Sequence, residues 1–94
     1  MIQEINQQQF EGISKNNQPI ILKFSASWCY PCKQLTPIFE EISNEVDAEF
    51  YKIDTDKEPE IARKYGIMSV PTILILKNGT LMLIRSLVGQ CLAV

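Results

Sequence analysis

The chain has 94 residues, of which 46% are hydrophobic and 21% charged, and its formal net charge is −2. This is the composition of one ordinary globular domain, 1–94, with no room for a second core, and it excludes a disordered chain. A near-neutral charge excludes the basic footprint of a nucleic-acid or anionic-membrane binder.

The opening MIQEINQQQF lacks both the basic and the apolar regions of a secretory signal. MIQEI alternates like a short strand. Asn6 then caps a helix through Phe10 and Ile13 to about Lys15, and IILKFSA is an apolar run of strand length and composition. After Cys29 the period changes. Leu35, Ile38, Phe39, Ile42 and Val46 form one stripe of an amphipathic helix, which Pro37 should kink. AEFYKID reads as a strand. Asp56 is placed to cap a short helix that has Pro59 in its first turn and ends at Gly66. TILIL reads as a strand buried on both faces, and KNGT as a type I′ turn into a last strand from Thr80. No apolar run approaches the roughly 20 residues that cross a bilayer; LMLI stops at Arg85. A soluble cytoplasmic protein is expected. The order β-α-β-α-β-α-β-β predicts a mixed sheet flanked by helices, with SASWCYPCKQL at the carboxyl end of a strand, where sites of open α/β sheets collect.

There are three cysteines and no histidine. A cysteine hydrolase therefore lacks its usual base, and a closed four-ligand zinc site lacks ligands, so no metal site is expected. The glycines form neither a dinucleotide fingerprint nor a phosphate loop, so no bound cofactor is expected and electrons must come from a partner. Taken alone, C-x-x-C is compatible with half a metal site, two small buried hydrophobes, or a redox pair. The strand-to-helix setting favours the redox pair. A helix N-terminus stabilises a thiolate, the nucleophile of disulfide exchange. Cys29, just before the helix, is expected to be the exposed attacker. Cys32, about a turn inside, is expected to resolve the mixed disulfide, and Pro31 to stiffen the turn.

WCYPCK after ILKFSAS, followed by IDTDKEPEIARKYGIMSVPTILILKNG, strongly resembles the thioredoxin family in order and spacing through Gly79. The resemblance implies a thioredoxin-like α/β/α sandwich and a thiol–disulfide oxidoreductase that cycles Cys29 and Cys32 between dithiol and disulfide. It also implies a cis Pro71 facing the cysteines, and Val70 pairing with the substrate backbone. Trp28 corresponds to the family's tryptophan at the site border, with ordinary packing as its plainer role. The implied partners are protein disulfides and a thioredoxin reductase, through which NADPH acts only indirectly.

Three features depart from the family. Tyr30 replaces the usual glycine between Cys29 and Pro31. Lys23 stands where many members have a buried aspartate, opposite a lysine that Lys52 matches. It either enters the acid–base or thiolate chemistry together with Lys52 or reaches solvent with its ammonium. LMLIRSLVGQCLAV, in which Gly89 is the candidate for the family's late glycine, is too short for the family's C-terminal helix. An apolar sheet face is therefore expected to stay open to self-association. Cys91 reads as a packing residue or free thiol. Two rivals stand beside the enzyme: a non-catalytic scaffold of the same fold, and a cluster-binding module sharing four thiolates between subunits.

Overall fold

The computed structural model describes residues 2–15 and 17–92, with side chains through Arg85. Its elements are β1 (Gln3–Glu4), α1 (Gln7–Ile13), β2 (Ile20–Ser25), α2 (Tyr30–Ser43), β3 (Glu49–Asp54), α3 (Pro59–Lys64), β4 (Ser69–Lys77) and β5 (Thr80–Leu92). The predicted element order holds throughout. The sheet order is β1-β3-β2-β4-β5. β2 is parallel to β3 and antiparallel to β4, so the sheet is mixed, with β2 at its centre.

Local signals account for the element ends. Asn6 accepts from the Gln9 N–H while the Gln9 side chain accepts from the Asn6 N–H, a capping box that satisfies two otherwise orphaned donors of α1. Asn78 and Gly79 take φ of 54° and 77°, the left-handed pair required by the predicted β4–β5 turn. Pro59 starts α3, but the N-cap is Glu58, not Asp56. The preceding turn is tied down instead by Asp54, whose Oδ1 accepts from the N–H groups of Asp56 (2.9 Å) and Lys57 (3.4 Å). This leaves the Asp56 carboxylate free to serve elsewhere.

The alternation of strand side chains divides the core. Ile20, Leu22 and Phe24 of β2 lie opposite Leu76, Leu74 and Thr72 of β4, and all six are fully or almost fully buried. Ile53 of β3, Phe10 of α1 and Ile61 of α3 join that cluster, and Phe10 meets Tyr65 edge-on at 6.0 Å. Each such aliphatic or aromatic side chain contributes about 1.5–3 kcal/mol of burial. The opposite face carries Ile21, Lys23, Phe50, Lys52, Ile73 and Ile75, and α2 lies over it through Phe39, which meets Phe50 at 5.3 Å.

That second face corrects two expectations. Only Phe39 of the predicted stripe is buried, and Ile38, Ile42 and Val46 are exposed. α2 turns Cys32 and Phe39 inward and ends at Ser43, so Val46 lies beyond it. TILIL is likewise buried on one face only, because Ile73 and Ile75 are half-covered. The cause is shared. Among the described residues α2 is the one helix on this side, and β5 continues as a strand through Gly89 to Leu92. The α2 helix continues through Pro37 as one helix from Tyr30 to Ser43.

Candidate active site

Cys29 is the N-cap of α2, with extended backbone (φ −91°, ψ 109°), and Pro31 lies in the first turn, where its missing N–H costs no helical bond. Cys32 follows on the same turn. Both cysteines lie at the positive end of the helix, where partial charge from unpaired N–H groups favours a thiolate.

Pro71 lies within β4 at a register shift between Val70 and Thr72, and the Val70–Pro71 peptide is cis. The Cys29 thiol donates to the Val70 carbonyl at 3.6 Å, so the start of β4 with its cis proline abuts the first cysteine as the resemblance implied. One expectation fails here. Cys29 is 0% exposed rather than open to solvent, because its thiol turns inward against Val70. Exposure belongs to the residues around it: Trp28 is half-exposed and Tyr30 is 67% exposed. Trp28 is held by its Nε1–H, which donates to Asp56 Oδ2 at 2.8 Å. Exposed Met68, just before β4, was not singled out from sequence, nor was Asp56 as the tryptophan's partner. Met68 directly precedes the V-P-T segment, and that adjacency was the available signal.

Behind Cys32 lies a cavity of about 260 Å³ that also reaches Lys23 and Lys52. The two lysines are direct partners in the β2–β3 register. Lys23 is 2% exposed, so its ammonium does not reach solvent. It donates to Thr36 Oγ1 at 2.9 Å and lies 5.7 Å from the Phe39 ring centre. Thr36 in turn donates to the Cys32 carbonyl at 3.2 Å, linking the lysine to the turn that carries the thiols. Burial, and next the Lys52 charge, hold the Lys23 amine below its ordinary value, while ionised Cys32 and Glu40 oppose the shift. The Cys91 thiol lies outside the described side chains, though its backbone pairs with Val70. Among the described residues no cluster of three or more Cys, Asp or Glu is arranged to hold a metal ion.

Two thiols at the N-cap and first turn of a helix, faced by the V-P-T start of β4 and bordered by an aromatic rim, make a thiol–disulfide oxidoreductase site. The Thioredoxin family model matches residues 1–91, and the chain belongs to the thioredoxin family. It is 45% identical over 71 residues to a thioredoxin of Rickettsia bellii, covering 73% of this chain and 68% of that protein. It is 47% identical over 64 residues to a thioredoxin of Borreliella burgdorferi, covering 66% of this chain and 55% of that one. The structure of Plasmodium falciparum thioredoxin superposes with a TM-score of 0.85 at 34% identity, covering 89% of this chain and 84% of that one.

Proposed function

We propose that the chain is a cytoplasmic protein-disulfide reductase whose redox group is the Cys29–Cys32 pair itself, with no bound cofactor. The Cys29 thiolate attacks one sulfur of a substrate disulfide, forming a mixed disulfide and expelling the other sulfur as a thiolate that takes up a proton. The Cys32 thiolate then attacks Cys29 Sγ. The intramolecular disulfide forms and the second substrate thiolate leaves, so the substrate gains two electrons and the pair loses two. A thioredoxin reductase drawing on NADPH returns them.

The observation that carries this reading is the contact between the Cys29 thiol and the Val70 carbonyl. The β2–β4 pairing ends at Phe24↔Thr72, so Val70 and Pro71 lie past the last β2 partner, toward the active-site loop. An extended substrate segment docks along that stretch, its backbone meeting Val70 and its side chains meeting Trp28, Tyr30 and Met68. Access requires the Cys29 thiol to swing away from Val70. Two copies are expected to associate through the half-covered sheet face that carries Ile73, Ile75 and Leu83.

The test is a redox titration in glutathione buffers, followed by Trp28 fluorescence. A reversible two-electron transition near about −270 mV, the value typical of thioredoxins, is expected. The absence of any reversible transition would leave a scaffold in place of an enzyme.

A further inference from the structure

The cavity behind Cys32 has an unbalanced lining. Lys23, Lys33, Lys52 and Lys57 border it, against Glu4 and Asp54. Glu4 pairs with Lys57 at 3.2 Å, and Asp54, which keeps its charge, turns one oxygen to the N–H groups of Asp56 and Lys57, so the lysines still outnumber the carboxylates. Among the described residues no carboxylate comes within ion-pairing distance of Lys23, Lys33 or Lys52. An ammonium carries three donors, and the hydrogen bond from Lys23 to Thr36 uses one of them. Two lysines side by side on adjacent strands, one of them buried, repel each other in a medium that screens poorly. The arrangement is costly in isolation and becomes favourable when a negative charge lies between the two amines.

We propose that this cavity is a binding site for a small oxyanion of the phosphate or sulfate type, held by the ammonium groups of Lys23 and Lys52. Exposed Lys33 draws the anion toward the cavity, and Ser25 and Ser27 on the lining offer hydroxyl donors. The volume admits such an ion together with several waters. Because Cys32 borders the same space, the anion disfavours a thiolate there and binds more tightly when Cys32 is protonated or in a disulfide. Oxidation of the pair therefore strengthens anion binding wherever Cys32 of the reduced protein is ionised, and by reciprocity a bound anion favours the disulfide over that thiolate. This coupling rests on the redox reading above, whereas the binding site does not.

The test is a titration of the oxidised full-length protein with sodium phosphate, and separately with sodium sulfate. Chloride holds the ionic strength constant, and backbone amide resonances are followed by NMR. Saturable shifts are expected at Ser25–Ser27, Cys32–Thr36 and Lys52, with a Kd of about 1 mM. Lys52→Met and Lys23→Met should each weaken binding by about tenfold or more. The half-exposed position of Lys52 makes its variant the safer one for folding. Shifts that fail to saturate, or that survive both substitutions, would overturn the site. The Cys29→Ser, Cys32→Ser double variant separates the two ideas, since it keeps phosphate binding whether or not the thiols are a redox pair. In the wild type, equal affinity for the oxidised and reduced forms would overturn the coupling alone.

Discussion

The Cys29 thiol and the Val70 carbonyl, 41 positions apart in the chain, meet at 3.6 Å inside the protein. The resting thiol is thus covered by the segment proposed to receive substrate, and the two cysteines have distinct tasks. Cys29→Ser should abolish reduction of a protein disulfide in a turnover assay. Cys32→Ser should still react once and accumulate a mixed disulfide with the substrate, detectable on a non-reducing gel. Equal behaviour of the two variants would sink the assignment of attacker and resolver.

Lys23 should weaken the fold at neutral pH. Its folded pKa lies below the unfolded value of 10.5, so between the two values the unfolded chain binds more protons and stability rises with pH. The cost is fully present below the folded value and gone above 10.5. Lys23→Met should raise stability at pH 7 and flatten the alkaline rise in urea midpoints. An unchanged pH profile would show that the amine is not the source.

Tyr51 has the opposite sign. Its hydroxyl donates to Glu49 at 2.6 Å, and that bond, with burial next, pushes the phenol up to about 12. The stability it contributes is complete below pH 10 and is lost as pH climbs through about 12. In an ultraviolet titration, Tyr51→Phe should remove the latest phenolate step, and Glu49→Gln should bring that step down.

Asp56→Ala removes the acceptor for the Trp28 indole. The bond is charge-assisted but solvent-exposed, so a loss of about 1 kcal/mol is expected, below the full range for charged partners. Trp28 emission should shift to the red, and disulfide reduction should slow without being lost. Unaltered emission would mean that the indole is held by packing alone.

Leu74→Ala tests the main core. Leu74 is completely buried opposite Leu22, and the cavity left behind should cost about 2–5 kcal/mol in denaturant unfolding.

The fold was legible wherever local chemistry and periodicity agree. The Asn6 capping box, the Asn78–Gly79 turn and the β-branched and apolar run of β2 each announce themselves within a few residues. The paired cysteines and V-P-T likewise mark the site, and the alignment of Lys23 with Lys52 follows once β2 and β3 are in register. What stayed hidden depends on distant partners. The stripe through Ile38 and Ile42 promised a buried face, but a helix buries only the part its neighbours cover. Asp56 has the composition of a cap, yet its carboxylate goes to an indole 28 positions away. Cys29 has the position of an exposed nucleophile, but its exposure is decided by Val70.

The central place of β2 has a consequence for synthesis. Leu22 and Phe24 leave the ribosome well before their partners Leu74 and Thr72 of β4, which are distant in sequence. Parallel pairing with β3 can begin sooner but leaves one edge of β2 unsatisfied. The nascent chain must therefore keep its future core apart from other chains until the β4–β5 hairpin arrives, and the decisive closure waits for a pairing that is distant in sequence.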